Sequence, residues 1–390
     1  MKFELSERLN KLPVYLFAEI DRLKQEIRAK GIDIISFGIG DPDLPTPGAI
    51  IDILKKESEI EDNHRYPSYE GLLKFRESAA SWYDKRFGVS LDPETEVLSL
   101  IGSKEGIGHF PLAFVNPGDI VLVPDPGYPV YNAATVLALG IPYFMPLEEK
   151  NDFLPDFSKI PEDVFKKAKL MFLNYPNNPT SARANRDFFK EVVKLAKKYS
   201  IIIAHDFAYS EVYTAGNPTE SFLSVPGAKD VGIEFHSLSK TFNMTGFRIG
   251  FASGSEAIIK GLGTVKTNLD SGIFQAIQLA GAYGLDNELG AVKENNKIYK
   301  KRRELLLRGL KKLGFHVYNS DTTFYVWAKV PKIGLSSKDF AVSLLNDTGV
   351  IVTPGSGFGR HGEGYIRFSL TLSEDRIKEG LERMGLRQFT

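Results

Sequence analysis

The sequence contains no cysteine, and its six histidines show no spacing typical of a pair of metal ligands. Without cysteine the chain can form neither a disulfide nor a thiolate nucleophile, and it can build no cysteine-based metal centre. Because the histidines are also unpaired, we predict that the protein has no metal site.

The sequence also lacks a net charge and a long hydrophobic run. Basic and acidic side chains number 49 each, so no overall field attracts nucleic acid or an anionic membrane. The densest basic run, KIYKKRR at 297–303, lies in a predicted helix and is typical of a solvated face. No apolar run approaches a membrane span, and the start MKFELSERLNKL lacks the apolar core of a signal peptide. We expect a cytoplasmic protein that binds neither nucleic acid nor membrane.

The chain has 390 residues, of which 43% are hydrophobic, and this length is typical of two domains. A helical stripe is predicted over 14–30. From residue 72 to about 330, short apolar strands alternate with helical segments, which indicates an α/β fold with a mostly parallel sheet covered on both faces. A long helix predicted over 288–313 ends before Gly314 and leads into a smaller α+β region. We predict an N-terminal arm and part of the small domain over 1–48, a large domain over 49–287 and a small domain over 288–390.

A glycine-containing turn follows a short strand predicted at 34–37. Gly38 and Gly40 superficially match a dinucleotide-binding loop, but the third glycine is missing and prolines follow where a helix should begin. We reject that interpretation and attribute Gly40 to a close approach between backbone and a small ligand.

The most informative motif is Ser237-Leu238-Ser239-Lys240, followed eight residues later by Arg248. A lysine that forms an imine with an aldehyde cofactor needs a nearby site for the cofactor's anionic group. The two serine hydroxyls can donate hydrogen bonds to a phosphate, and the arginine can add a planar clamp. We therefore predict a pyridoxal 5′-phosphate site with Lys240 as covalent anchor and proton carrier. Taken alone, the motif is equally typical of an exposed loop after a strand.

A second motif is the apolar run 201–204, which ends in His205-Asp206. It is typical of a buried parallel strand, and ligands bind at the carboxyl ends of such strands. A buried carboxylate needs a cationic partner, and a protonated pyridine nitrogen is one. Tyr209 could donate its hydroxyl to the phenolate oxygen of the same cofactor. The alternative for Asp206 is a helix cap or a structural ion pair.

A third motif is the turn Asn174 to Thr180, which follows another apolar strand. Its prolines stiffen the turn and fix the amide of Asn178, which could also donate to the phenolate oxygen. An ordinary Asn-Pro turn is the alternative. The order of the three motifs along the chain, each after a predicted strand, strengthens the prediction.

Together these motifs resemble the class I and II aminotransferases of fold type I, from about residue 13 to about residue 381. The resemblance implies the pyridoxal phosphate-dependent transferase fold, with a seven-stranded sheet that contains one antiparallel strand, and a small α+β domain. The stretches that carry it are PVYLFAEIDRL from Pro13, FGIGDPDLPTP from Phe37, HRYPSYEGL from His64, GSKEGI from Gly102, VPDPGYPVY from Val123, FLNYPNNPT from Phe172, EFHSLSKTFNMTGFRIGF from Glu234, VKTNLDSGIFQAIQLAG from Val265 and GSGFGRHGEGYIRFSLT from Gly355.

The resemblance supplies further site residues. Ser103 and Lys104 lie where a strand turns into a helix, so their backbone N–H groups can meet phosphate oxygens. Tyr128 matches the aromatic residue that stacks on the cofactor ring. The family pattern also implies a homodimer with shared sites, in which each subunit contributes Tyr66 as a phosphate ligand to the site of its partner. Tyr15 and Asn268 match positions near the distal part of the substrate, and Asn268 is also contributed across the subunit interface. Lys104, Tyr128 and Asn178 are expected to contact substrate as well.

Arg367 is the candidate for binding the substrate α-carboxylate, together with backbone near Gly40. It alternates with Ile366 and Phe368 on a predicted strand, so it faces away from their apolar side and needs an anion. The family places its carboxylate-binding arginine here, whereas the alternative is a surface salt bridge. The glycine-rich stretch 355–364 precedes this strand rather than a helix, so we predict a mobile loop and no phosphate cradle.

Within the family the resemblance is strongest to members that act on LL-2,6-diaminopimelate. It implies amino transfer between that compound and 2-oxoglutarate, or from glutamate to tetrahydrodipicolinate in the lysine-biosynthetic direction. Glu70 is a candidate partner for the distal ammonium by charge alone. Ser181, Phe207 and Ser253 depart from the usual pattern, and Phe207 could narrow the pocket. The alternatives are a transaminase for aspartate, alanine, methionine or an aromatic amino acid, and a lyase or synthase that uses the same cofactor.

Overall fold

The computed structural model describes residues 3–12, 31, 33–214, 216, 218–331 and 334–386. The helix predicted over 14–30 and the predicted site residue Tyr15 lie outside these ranges. Among the described residues, no helix is both long enough and apolar enough to cross a lipid bilayer.

A central sheet organises the described part of the chain, and it has seven strands in the order β2-β8-β7-β6-β5-β3-β4. Only β8 runs antiparallel to its neighbours, and the remaining pairs are parallel. The predicted mostly parallel, seven-stranded sheet is therefore confirmed. Its strands are β2 (Val97–Leu100), β3 (Ile120–Asp125), β4 (Ile141–Pro146), β5 (Ala168–Asn174), β6 (Ile202–Asp206), β7 (Gly232–Ser237) and β8 (Gly250–Gly254).

Both faces of this sheet are covered, which explains why its strands are continuous apolar runs. In β5, Met171 and Leu173 belong to one hydrophobic core, while Leu170 and Phe172 belong to another on the opposite face. All four side chains are at most 1% exposed. In β5 the polar side chain of Asn174 lies at the carboxyl end of the strand, which is the edge of the sheet where ligands bind.

The helices that cover the sheets follow the periodicity of the sequence closely. The long helix predicted over 288–313 is observed over 289–312, and Gly314 follows it in a left-handed conformation. The described helices are α1 (Glu7–Asn10), α2 (Gly48–Ser58), α3 (Leu73–Phe87), α4 (Ser103–Phe114), α5 (Val130–Leu137), α6 (Glu162–Lys167), α7 (Arg186–Tyr199), α8 (Leu238–Thr241), α9 (Glu256–Leu269), α10 (Gln275–Asn287), α11 (Leu289–Lys312), α12 (Ser337–Thr348) and α13 (Glu374–Gly385).

Smaller sheets join the two ends of the chain around a third hydrophobic core. The early strand β1 (Ile35–Ser36) pairs in parallel with β10 (Val350–Ile351), and β12 (Tyr365–Ser369) lies between β11 (Thr353–Pro354) and β9 (Tyr325–Lys329). Arg302 of α11 forms a two-pronged ion pair with Asp43, at 2.7 and 2.9 Å. The domain boundaries near residues 48 and 287 stay a prediction.

The glycine-rich stretch 355–364 contains more regular structure than an open loop. Gly355–Phe358 and Arg360–Gly362 form short 3₁₀ turns, and Gly355 packs so tightly that an added Cβ would lie 2.0 Å from the carbonyl oxygen of Gly362. Strand β12 follows at Tyr365, as predicted.

Candidate active site

A cavity of about 620 Å³ lies at the carboxyl ends of β5, β6 and β7. Parallel strands bring their carboxyl ends to one edge, so motifs far apart in sequence meet there. Most of the predicted site residues line it: Gly40, Ser103, Lys104, Tyr128, Asn178, Asp206, Tyr209, Ser237, Ser239, Lys240, Arg248 and Arg367. The structure adds Ile39, Asp41, Ala208, Thr245, Gly246 and Tyr325 to the lining.

Lys240 lies in the one-turn helix α8, directly after β7, and its side chain is half-buried against the cavity. Burial lowers the pKa of its ammonium from 10.5 to about 8, because desolvation disfavours the charged form. The nearby carboxylate of Asp41 opposes this shift, whereas the guanidinium of Arg248 adds to it. A lysine with this pKa is partly a free amine near neutral pH, as a nucleophile or general base requires.

Asp206 ends β6 and is 5% exposed. The hydroxyl of Tyr131 donates to its Oδ2 at 2.7 Å, and the backbone N–H of Ala208 donates to Oδ1 at 3.2 Å. Burial raises the pKa of Asp206 despite these donors, which act in the opposite direction. No basic side chain of the described residues forms a salt bridge with this carboxylate, so the buried acid is suited to a cationic ligand. Tyr131 was not predicted as a site residue from the sequence, although it follows Tyr128 at helical spacing.

One corner of the cavity is built to bind an anion. Ser103 and Lys104 begin α4, where backbone N–H groups point out of the helix, and Ser237, Ser239 and Arg248 lie across from them. Gly102 precedes the helix with φ of 74°, and a Cβ at this position would lie 2.4 Å from Nη2 of Arg248. Arg248 itself has φ of 55° and donates from Nη1 to the carbonyl oxygen of Thr245 at 2.7 Å.

Arg367 and Asn178 also line the cavity, where their side chains contact each other. Nη1 of Arg367 donates to Oδ1 of Asn178 at 2.7 Å, and Nη2 donates to the carbonyl oxygen of Gly38 at 2.8 Å. The guanidinium carbon lies 4.0 Å from the ring centroid of Tyr325 and 4.7 Å from that of Phe358. Arg367 is 1% exposed, and burial lowers the pKa of its guanidinium. An arginine buried against two aromatic rings is placed to bind a carboxylate strongly.

Tyr209 and Tyr325 link this arginine to the rest of the site. Their hydroxyl groups lie 3.1 Å apart, and burial raises the pKa of Tyr209 well above its ordinary value. A Cβ on Gly40 would lie 2.1 Å from the hydroxyl oxygen of Tyr325. The close approach expected for Gly40 is thus made to a tyrosine of the same chain. Nothing in the local sequence of β9 distinguished Tyr325 from its buried neighbours.

Three predicted contacts do not reach the cavity of their own chain. Tyr66 is 86% exposed, Asn268 is exposed on α9, and Glu70 is exposed on the loop before α3. None of them is among the residues that line the cavity.

The departures from the family pattern are buried away from the cavity. Phe207 packs on Phe87 and His205, with ring centroids 5.4 and 5.2 Å apart, so the prediction that it narrows the pocket is wrong. Ser181 has φ of 63° and a hydroxyl 2.6 Å from that of Thr323, and Ser253 is a fully buried residue of β8. The side chain of Phe207 points into the core because successive residues of an extended chain face opposite ways, and Asp206 faces the cavity.

Comparison with known proteins gives a consistent result over the whole chain. Residues 32–384 match the family described as Aminotransferase class I and II. The LL-diaminopimelate aminotransferase of Syntrophobacter fumaroxidans is 56% identical, with 100% of both chains covered, and that of Aquifex aeolicus is 55% identical, with 98% of both covered. Among solved structures, substrate-bound BacF from Bacillus subtilis has a TM-score of 0.95 at 38% identity, covering 99% of this chain and 98% of that one.

Proposed function

The chain belongs to the class I and II aminotransferase family, its substrates are amino acids and 2-oxo acids, and we propose that it transfers an amino group between LL-2,6-diaminopimelate and 2-oxoglutarate. In the biosynthetic direction glutamate would aminate tetrahydrodipicolinate on the route to lysine. One observation carries this proposal: a single cavity joins an amine of low pKa, a buried acid, an anion-binding corner and a buried arginine.

The choice of diaminopimelate rests on full-length likeness to relatives of that name. The three departures noted in the sequence, Ser181, Phe207 and Ser253, do not weaken it, because they do not line the cavity. The cavity lining therefore retains the residue types that the family pattern predicts.

The residues present fit pyridoxal 5′-phosphate. Ser103, Lys104, Ser237, Ser239 and Arg248 would hold the phosphate, since hydroxyls, a helix start and a guanidinium converge there. Asp206 would lie against the ring nitrogen, and Tyr128 against the ring face. Asn178 and Tyr209 would donate to the phenolate oxygen. The buried acid, which lacks a salt bridge among the described residues, is the feature that this cofactor explains and a simple phosphate ligand does not.

When bound, this cofactor supplies an aldehyde that takes up the amino group and a ring that withdraws electrons from the substrate α-carbon. Lys240 would anchor the cofactor and, once released as a free amine, would move a proton to and from the substrate α-carbon. Its depressed pKa keeps this amine available near neutral pH. Asp206 would favour a positive charge on the ring nitrogen of the cofactor, and the hydrogen bond from Tyr131 holds the orientation of Asp206.

Substrate orientation is assigned to Arg367 and the backbone near Gly40, which would hold the α-carboxylate. Tyr325 fixes the position of this arginine by ring stacking at 4.0 Å. Lys104 and Tyr128 line the cavity and would contact the rest of the substrate, together with Asn178. Tyr15 keeps its proposed role near the distal end.

We also propose a homodimer in which Tyr66 and Asn268 reach the site of the partner subunit. Both are exposed and lie outside their own cavity. Their segments pack together in one chain, since Nε2 of Gln275 donates to the carbonyl oxygens of Asp62 and Arg65, both at 3.2 Å. Exposed apolar side chains cluster in these segments, as expected of a surface that another copy covers: Ile60, Tyr69, Leu73, Leu269 and Phe274.

A donor screen tests the proposed reaction. The purified protein with pyridoxal phosphate is given 2-oxoglutarate and one amino donor at a time, and glutamate formation is followed with a coupled dehydrogenase. LL-diaminopimelate should give the highest kcat/KM, above the meso and DD isomers, aspartate, alanine, methionine and phenylalanine. A higher value for one of the other donors would remove the proposed substrate but leave transamination standing.

The same assay separates transamination from lyase chemistry. A transaminase forms one glutamate for each donor consumed, whereas a lyase releases ammonia or an eliminated group without glutamate. The matched variant Lys240→Ala should lose at least about 10³-fold in kcat, since it removes both the anchor and the proton carrier. Undiminished turnover in that variant would refute the assignment of Lys240.

A further inference from the structure

A buried polar chain on the far side of β6 is not explained by the proposed reaction. It contains His205, which immediately precedes Asp206, and Glu234 on the neighbouring strand β7. Both side chains are fully buried. The two residues lie directly opposite each other in the sheet register, with Leu173 of β5 on the other side of His205.

Glu234 is held in one orientation by four hydrogen-bond donors. Its Oε1 accepts from the backbone N–H of Phe222 at 2.7 Å and lies 2.8 Å from Nδ1 of His205. Its Oε2 accepts from the hydroxyls of Ser221 at 2.5 Å and Tyr83 at 3.1 Å. A buried carboxylate with this many donors is a fixed acceptor in the core.

The histidine tautomer follows from its partners. The backbone N–H of Tyr175 points at Nε2 of His205 over 3.2 Å, and an amide nitrogen can only donate. Nε2 is therefore the acceptor, and the proton lies on Nδ1, from which it is donated to Glu234. The ring thus bridges a fixed acceptor on β7 to the backbone that follows β5.

The backbone at Tyr175 is connected to the active site through the hydrogen bonds of the preceding residue. Tyr175 follows Asn174, whose Nδ2 donates to the carbonyl oxygen of Asp206 at 2.8 Å and whose Oδ1 accepts from the N–H of Asn178 at 2.8 Å. A shift at Tyr175 would therefore reach both the buried acid and the amide that contacts Arg367. The chain of bonds from Glu234 through His205 to Tyr175 ties together the ends of the three strands that carry the site.

We propose that His205, held by Glu234, is a positioning residue that fixes Asp206 and the 174–178 turn for cofactor binding. This inference rests on the proposed function, because the group that Asp206 binds is taken from it. The ring does not line the cavity, so it acts through Tyr175 and through its own strand.

Substitutions at position 205 separate the two hydrogen bonds. His205→Phe keeps a flat ring among Phe189, Phe207 and Phe222 but removes both bonds. His205→Gln can still accept from the N–H of Tyr175, whereas His205→Asn reaches only Glu234. Phe207→Leu is the matched control, since it loosens packing at the same depth beside Asp206 and leaves the polar chain intact.

Two measurements do not depend on turnover. The first is the dissociation constant of pyridoxal phosphate for the cofactor-free protein, with the absorption maximum of the bound cofactor. The second is amide hydrogen exchange of the peptide covering 170–180 in the cofactor-free protein. We expect His205→Phe and His205→Asn to weaken cofactor binding at least about tenfold, to shift the absorption maximum and to speed exchange at least about tenfold. His205→Gln should stay within about threefold of the native protein in both measurements.

Phe207→Leu should lower only the melting temperature. Native affinity, spectrum and exchange in His205→Phe would overturn the proposal. If that variant does not fold, the ranking of Gln and Asn decides: equal behaviour, or better binding by Asn, would overturn it. Failure of the native protein itself to bind pyridoxal phosphate would instead refute the proposed function.

Discussion

At the scale of single residues, burial controls the two ionisable groups central to the site. It lowers the pKa of Lys240 and raises that of Asp206, because each loses favourable hydration of its charged form. Both shifts disfavour charge, so the site without ligand is electrostatically strained in two places. A ligand with a cationic ring and a reactive carbonyl relieves both.

The titration of Lys240 can be observed directly in the cofactor-free protein. We expect its reaction with a small amine-specific reagent to rise with pH around a midpoint of about 8, because burial lowers its pKa to that value. Asp41 opposes this shift by stabilising the ammonium, so Asp41→Asn should move the midpoint to lower pH. Pulse labelling read by mass spectrometry of the peptide containing Lys240 measures both. A midpoint near that of exposed lysines would contradict the burial argument.

Gly40 allows Tyr325 to occupy its place beside Arg367. Gly40→Ala would put a methyl group within 2.1 Å of the tyrosine hydroxyl, so the ring and the arginine stacked on it must move. We expect KM for amino donors to rise about tenfold or more, because the displaced Arg367 would make a weaker charge-assisted hydrogen bond to the α-carboxylate of the donor. Steady-state kinetics measures this.

Gly48→Ala provides the control for that substitution, since a Cβ there meets nothing within 4 Å. Its kinetic constants should match those of the native protein. Equal effects of the two substitutions would show that the contact with Tyr325 is not the cause.

At the scale of elements, the start of α4 and the end of β7 together form the proposed phosphate-binding unit. The unit depends on backbone geometry as much as on side chains: Gly102 adopts φ of 74° and lets Arg248 approach closely. Gly250 of β8 likewise allows a close approach between backbones, since a Cβ there would lie 2.5 Å from the carbonyl oxygen of His236 and 3.0 Å from the nitrogen of Ser103.

Gly102→Ala should therefore weaken cofactor binding specifically. The added methyl group would lie 2.4 Å from Nη2 of Arg248 and displace it. We expect the dissociation constant of pyridoxal phosphate to rise about 10- to 100-fold, since a charge-assisted hydrogen bond contributes about 1.5–3 kcal/mol. Fluorescence titration of the cofactor-free protein measures the change.

Gly88→Ala is the matched control, because Gly88 also has a left-handed φ, of 65°, but a Cβ there meets nothing within 4 Å. Both substitutions should lower the melting temperature through backbone strain of about 1 kcal/mol. Only Gly102→Ala should affect the cofactor. Unchanged affinity in that variant would remove the proposed phosphate contact.

The elements themselves were largely predictable from the sequence. Apolar patterning predicted the strand that ends at Asp206 and the strand that precedes the turn at Asn174, which are observed as β6 and β5, because strands buried on both faces are uninterrupted apolar runs. It did not predict the 3₁₀ turns within 355–364, since these depend on close backbone contacts such as that of Gly355 with Gly362.

At the scale of the whole molecule, the surface formed by 60–73 and 268–275 is the expected contact with a second copy. Leu269 is 56% and Phe274 39% exposed. We expect the native protein to be a dimer, and Leu269→Glu combined with Phe274→Glu to give monomers, because charges would be buried at the interface. Light scattering measures the mass, and the coupled assay measures activity.

Activity should fall with dimer content, because Tyr66 and Asn268 would no longer reach a partner site. Leu335→Glu is the control, since Leu335 is 40% exposed but lies outside this surface. A fully active monomer would refute shared sites, while the assignment of Lys240 and Asp206 would still stand.

The sequence by itself determined those parts of the site that lie in short sequence motifs. Lys240, Asp206 and Asn178 each follow a buried strand, and parallel strands must present their carboxyl ends together. The resemblance to a family supplied Arg367, Tyr128 and the residues at the start of α4. These predictions depend on strand order and chain direction, which hydrophobic patterning encodes.

Only the tertiary structure decided which side chains support these groups. Tyr131 beneath Asp206, Tyr325 under Arg367 and the pair His205–Glu234 come from elements distant in sequence, and each looks like an ordinary core residue in its own segment. It also showed that Phe207 turns away from the cavity. Contacts of this kind depend on the packing of whole elements against one another, which no local pattern specifies.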